Sequence, residues 1–235
     1  MLTNAEIKRI RSLREKKFRD ELSLFVVEGE KMVGEALASG FEVVEVFRVE
    51  DIGQKAMERL SQFSTPSSVL AVVRIPEFRS VGPERGRLYL ALDSVRDPGN
   101  LGTIIRSADW FGVDTVFVSP DTVDTYNSKV VQSSMGSVFR VRVVREDIAA
   151  VCRRFKAAGL PVYGTLLEGR DIYAQCLGSE GLVVMGNESE GISGEVRSEI
   201  DSPILIPSWA GSGAESLNVA VATAVTLAEF RRRGR

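Results

Sequence analysis

Apolar and polar positions set out the first recognisable unit between residues 88 and 112. Leucine at positions 88, 90 and 92 predicts a strand that ends at Asp93. Asp97-Pro98-Gly99 then signals a turn, with Asn100 placed to cap a following helix. Leu101, Ile104, Ile105, Ala108 and Phe111 recur at helical spacing and give that helix one apolar face. Arg106 lies about 100° round from Ile105 and points off that face. Taken alone, this is an ordinary strand, turn and helix with a surface arginine. Two later stretches, LVVMGNESEGIS and ILIPSWAGSGAESLNVAVA, repeat the design of a strand running into a polar, glycine-rich turn.

The same patterning carries on downstream. Strands are expected near residues 115–119, 138–143, 162–166, 182–185 and 204–206, and helices near 128–135, 146–158 and 217–232. Short apolar strands separated by helices imply a parallel sheet with helices on both faces. Upstream, a basic helix over residues 3–19 carries Ile7, Ile10, Leu13 and Phe18 roughly on one side. Strands at 24–27, 43–49 and 69–73 alternate with helices at 31–38 and 54–60. This is a small α/β layer domain over residues 1–75. Residues 76–87, with Pro76, Gly82, Pro83 and Gly86 among charges, read as a linker to a second domain over 88–235.

Composition narrows the chemistry. The 235 residues are 44% hydrophobic and 26% charged, as in a globular protein, and no apolar run approaches the ~20 residues of a membrane helix. The first residues have no apolar core and read as no secretory signal, so a cytoplasmic location is expected. Cys152 and Cys176 stand far apart without partner ligands, which indicates neither a disulfide framework nor a metal site. The chain has no histidine. That excludes serine–histidine triads, histidine metal sites and the commonest general base. The net charge of −2 is not the footprint of a nucleic-acid binder, but residues 1–20 hold seven Lys/Arg against three acids.

The three strand-and-turn stretches, in this order, resemble the three motifs of the SpoU (TrmH-like) family of RNA ribose 2′-O-methyltransferases, in the SPOUT superfamily. Asn100-x-Gly102-x-x-x-Arg106 is similar to the first motif and Gly186-x-Glu188-x-x-Gly191 to the second. Ile206-Pro207 with Ser216-Leu217-Asn218 is similar to the third. One departure is Ser208, where family members usually carry Met after the Ile-Pro pair.

The resemblance implies S-adenosyl-L-methionine as cofactor, RNA (ribosomal or transfer) as substrate, and a homodimer. It also implies a trefoil knot formed by the chain after about Pro161, and a substrate-binding role for residues 1–75. By the same resemblance Thr165, Leu166, Gly186, Asn187, Ile206 and Leu217 line the cofactor pocket. Asn100, Arg106, Glu188, Ser216 and Asn218 form the catalytic set. A guanidinium ordinarily stays protonated, so Arg106 is expected to bind the phosphate beside the target ribose and lower the hydroxyl's pKa; in a neutral form it could also take the proton. Asn100, Ser216 and Asn218 are expected to orient Arg106 and the ribose, and Ser216 and Asn218 also suit a cap of the last helix.

Two other readings start from the same residues. A dinucleotide-binding oxidoreductase is suggested by GSGAES at 211–216, but the third glycine is missing and no acidic strand end follows about 20 residues on. A catalytically silent RNA-binding or cofactor-sensing protein on the same fold is opposed by the retained Asn100, Arg106, Glu188, Ser216 and Asn218.

Overall fold

The structure is a computed structural model and describes residues 2–187, 189–209, 213 and 215–233. The N-terminal unit runs α1 (Asn4–Ser12), α2 (Lys16–Leu22), β1 (Leu24–Glu28), α3 (Glu30–Ala38), β2 (Val43–Arg48), α4 (Val49–Ile52), α5 (Gln54–Leu60) and β3 (Val69–Arg74). Its three strands pair antiparallel in the order β1-β3-β2. The second unit runs β4 (Leu88–Leu92), α6 (Pro98–Trp110), β5 (Thr115–Val118), α7 (Ser128–Ser133), a 3-10 turn (Ser137–Phe139), β6 (Arg142–Arg145) and α8 (Ile148–Ala157). It continues through β7 (Val162–Asp171), β8 (Gly181–Met185), α9 (Gly194–Arg197), β9 (Ser202–Leu205) and α10 (Val219–Arg233). These six strands form one parallel sheet in the order β6-β5-β4-β8-β7-β9.

Strand alternation divides the core between the two faces of this sheet. Leu88, Leu90 and Leu92 point to the face covered by α6 and α10, beside Ile104, Ile105, Leu227 and Phe230. Tyr89 and Ala91 point to the face covered by α8 and α9, beside Phe117, Phe155 and Ile192. Both faces of β4 are fully buried, as a central parallel strand requires.

Several local expectations are corrected. The basic helix over 3–19 is two helices. Arg19 donates to the carbonyls of Leu13 and Arg14, at 2.7 and 2.8 Å, and so satisfies groups released where α1 stops. Arg19 is buried there while Phe18 is only half-buried. The strand expected at 138–143 begins instead at Arg142. Gly136 takes φ +95° and the chain makes a 3-10 turn, which buries Val138 and Phe139 together. β7 is longer than expected: it pairs with β9 up to Thr165 and again from Arg170, with residues 166–169 looped out between. The cap of α6 is Asp97, whose Oδ1 accepts from the Asn100 N–H at 2.8 Å, with Pro98 in the first turn.

The two units share a hydrophobic core. Phe25, Val27, Val33 and Ala71 pack with Val131, Val138 and Phe139 of the second unit. Phe25 lies 4.6 Å from Tyr126 between ring centroids, and Phe41 lies 5.2 Å from Phe139. A buried ion pair, Arg19 with Asp124, crosses the same junction. Arg140 adds a second crossing through Glu35.

Candidate active site

Asp97 and Pro98 start α6 at the carboxyl end of β4, so Asn100 falls in its first turn with its side chain released from capping. Gly102 follows because α7 crosses there. A Cβ on Gly102 would lie 1.9 Å from Ser133 Oγ and 2.6 Å from the Val130 carbonyl. Leu101, Ile104, Ile105 and Ala108 are buried beneath the helix, while Thr103, Arg106 and Trp110 line its exposed side. Arg106 makes no hydrogen bond or ion pair among the described residues. It lies about 9 Å along the helix from Asn100.

The third motif meets the first through one contact. Asn218 Nδ2 donates to Asn100 Oδ1 at 3.0 Å. Asn218 Oδ1 accepts from the N–H groups of Ala220 and Val221, at 2.9 and 3.3 Å, so this residue caps α10 as well. Ser216 and Leu217 are exposed just before it, and Ser216 makes no capping bond among the described residues. Helix α10 packs along α6, which brings the two N-termini together at the carboxyl edge of the sheet.

The second motif leaves β8 between them. A Cβ on Gly186 would come 2.2 Å from the Gly191 carbonyl carbon, and Gly191 itself takes φ +70°. Both glycines therefore serve a loop that folds back on itself, closed by paired backbone bonds between Asn187 and Gly191. Asn187 Nδ2 donates to the Ser94 carbonyl at 2.7 Å, tying this loop to the one after β4. Glu188 lies outside the described residues.

The remaining pocket residues sit at the ends of neighbouring strands. Thr165 Oγ1 donates to the Val184 carbonyl at 3.3 Å, and Thr165 pairs with Ile204 of β9. Ile206 is half-buried against the core beneath α6 and α10, whereas Leu166 packs on the opposite face. Thr165, Asn187 and Ile206 thus lie at one edge of β7, β8 and β9. Asn100 and Asn218 are in contact, while Arg106 and Ser216 make no hydrogen bond to the others among the described residues.

Two titratable groups elsewhere are held protonated by burial. Burial pushes the Cys152 thiol up to about 12, and it also holds Tyr126 in its protonated form. A cavity of about 240 Å³ opens on the α8 side of the sheet edge, between Asp93, Ser94, Asp121, Asp147 and Ser193. Another of about 530 Å³ lies at the amino edge, between Phe41, Phe78, Phe139 and Arg142. Neither is lined by Asn100, Arg106 or Asn218. Sequence reasoning missed Ser94 and Asp121, which hold the loops on that side. Asp97 as the cap was open to it, because Asp-Pro at a strand-to-helix turn is a helix-start signal.

A parallel α/β sheet with polar, glycine-bearing loops at the carboxyl ends of its central strands defines a class of small-molecule-binding α/β proteins. Within that class, residues 87–228 match the SpoU rRNA Methylase family, and the chain belongs to this family. Residues 4–72 match an MRM3-like substrate binding domain. The 23S rRNA (guanosine(2553)-2′-O)-methyltransferase RlmP of Bacillus subtilis is 33% identical, with 97% of this chain and 96% of that protein covered. A putative RNA methyltransferase of the TrmH family from Porphyromonas gingivalis superposes with a TM-score of 0.91 at 37% identity, over 99% of both chains. The AdoMet-bound rRNA methyltransferase from Sinorhizobium meliloti superposes with a TM-score of 0.89 at 34% identity, over 99% of this chain and 96% of that one.

Proposed function

We propose that this chain transfers a methyl group from S-adenosyl-L-methionine to a ribose 2′-hydroxyl in ribosomal RNA. The observation that carries the reading is the Asn218–Asn100 contact, which closes the N-termini of α10 and α6 beside the exposed Arg106. Relatives named as methyltransferases of 23S rRNA support catalysis over silent binding.

The residues at the ends of β7, β8 and β9 fit the cofactor in chemical kind. Ile206 and the exposed Leu217 offer apolar contacts for an adenosine, Thr165, Leu166 and Gly186 offer backbone polar groups, and Asn187, its own backbone paired with Gly191, shapes the loop beside them. Bound there, S-adenosyl-L-methionine supplies an electrophilic sulfonium methyl group. The chain's own task is to bring the ribose oxygen into line with it, and much of the acceleration comes from that positioning. Arg106, with no acidic partner among the described residues, grips the phosphate beside the target ribose. Its charge lowers the pKa of the ribose hydroxyl, whose proton passes to water as the oxygen takes the methyl group and the sulfonium leaves as a neutral thioether. Asn100 and Asn218 orient the ribose from the paired helix ends, with Ser216 beside them. Glu188 belongs to the same set by its motif.

We also read residues 1–75 as the substrate-binding domain, 76–87 as the linker and 88–235 as the catalytic domain of a cytoplasmic enzyme. The match of residues 4–72 to a substrate binding domain supports the first division. A homodimer belongs to the same reading. It is supported by Trp110, Leu217 and Val221, large apolar residues exposed on and beside α6 and α10. A knot after Pro161 is supported by the strand order, in which the chain leaves β6 at one edge and re-enters beyond β8.

Labelled S-adenosyl-L-methionine incubated with ribosomal RNA from a strain lacking this gene tests the reading. One 2′-O-methyl site should appear, and Arg106→Ala should bind cofactor within a few-fold while transfer falls by orders of magnitude. Undiminished transfer by Arg106→Ala would refute the active-site assignment.

A further inference from the structure

Outside the residues assigned above, a chain of hydrogen bonds joins the loop after β5 to the loop after β8. It passes through Ser94, which takes φ +62°, a left-handed conformation that costs a side-chain-bearing residue about 1 kcal/mol or more. Ser94 is held there from two directions. Its N–H donates to Ser119 Oγ at 2.8 Å, and its hydroxyl donates to Asp121 Oδ2 at 2.5 Å. Ser119 Oγ also contacts Asp121 Oδ1 at 2.7 Å and Thr122 Oγ1 at 2.8 Å, so the carboxylate grips both serines.

The loop that carries these groups is itself fixed from behind. Arg145 donates to the carbonyls of Ser119, Pro120, Thr122 and Val123, at 2.9, 2.7, 2.8 and 3.2 Å. Asp124, at its far end, is paired with the buried Arg19. Arg96 approaches Asp121 only to 3.8 Å.

With Ser94 turned in this way, its carbonyl accepts from Asn187 Nδ2 at 2.7 Å. Asn187 Oδ1 then accepts from the N–H groups of Ser189 and Glu190, at 2.8 and 3.3 Å, and shapes the second-motif loop. We infer that Asp121 is a positioning residue for this loop: its carboxylate fixes Ser94 in the left-handed conformation, and the Ser94 carbonyl then sets Asn187. For methyl transfer the inference rests on the proposed function, in which Asn187 and Gly186 hold the cofactor. Asp121 acts on the loop through Ser94, directly and by way of Ser119.

A rescue experiment separates this role from a merely local one. Glycine adopts positive φ without the Cβ penalty, so Ser94→Gly removes the need for Asp121 to hold the turn. Asp121→Ala should raise the KM and Kd for S-adenosyl-L-methionine roughly tenfold, the scale of one charge-assisted hydrogen bond, while kcat at saturation changes little. Amide exchange at Ser189 and Glu190 should quicken in the same variant. The double variant Ser94→Gly/Asp121→Ala should recover both cofactor affinity and slow exchange. Unchanged exchange in Asp121→Ala, or no recovery in the double variant, would overturn the inference. Failure of the wild-type chain to bind the cofactor would instead refute the functional reading, and the exchange measurement would still decide the role of Asp121.

Discussion

The side-chain amide of Asn218 donates to that of Asn100 at 3.0 Å, joining the starts of two helices 118 residues apart in the chain. The same residue caps α10 through its oxygen, so its two ends do different work. Asn218→Ala loses both and should cost about 1–2 kcal/mol of stability as well as activity. Asn218→Asp keeps the capping oxygen but has no N–H for Asn100. It should melt near the wild-type temperature while methyl transfer falls at least tenfold. Equal activity in Asn218→Asp and wild type would remove the contact from the account.

Gly102 owes its place to α7. Gly102→Ala drives a methyl group into Ser133 and the Val130 carbonyl, and should destabilise by about 1–3 kcal/mol in a denaturant melt. Adding Ser133→Gly should recover only part of this, because the Val130 carbonyl is backbone and remains 2.6 Å away. Full recovery would mean that the helices separate easily at this crossing.

The buried pair of Arg19 and Asp124 fastens the N-terminal unit to the second. Arg19→Ala leaves the Asp124 carboxylate with little solvent and only the Tyr126 N–H as a partner, and should cost about 3 kcal/mol. Arg19→Lys should restore little, since one ammonium cannot serve Asp124 and the two carbonyls of Leu13 and Arg14 in their fixed geometry. Thermal melts of the two variants check this. The shared core also means that deleting residues 1–80 should uncover Val131, Val138 and Phe139 and yield an aggregating fragment.

Hydrogen bonds from Ser94, then Ser119, hold the Asp121 carboxyl below the usual carboxylate value. A group depressed on folding stabilises the native state in full above its unfolded pKa, near 4, and loses that contribution as pH falls through the folded value. The stability gap between wild type and Asp121→Asn should therefore be constant above about pH 5 and shrink below about pH 4. Urea melts across that range would expose a gap that instead widens in acid.

Much of the parallel-sheet unit is visible in the sequence because strand and helix periods differ there so clearly. Leu88, Leu90 and Leu92 all reach one face, and Leu101, Ile104, Ile105 and Ala108 all face the core. The misreadings come from contacts between distant segments. Arg19 ends α1 by capturing its carbonyls, and Gly136 diverts Val138 and Phe139 into a core shared with β1 and β3. Periodicity along one stretch carries no trace of either. At the site, Asn100 and Asn218 were open to a motif reading, but their mutual contact was not. The left-handed Ser94 was hidden for another reason, since serine gives no local sign of positive φ.

In the proposed reaction the ribose 2′-oxygen accepts the methyl group. Two RNAs identical except for ribose or 2′-deoxyribose at the mapped nucleotide should bind the enzyme alike, as measured by competition. With labelled S-adenosyl-L-methionine, the ribose RNA should take up one methyl group per molecule and the deoxy RNA none. Label on the deoxy RNA would contradict the claim and move the reaction to a base.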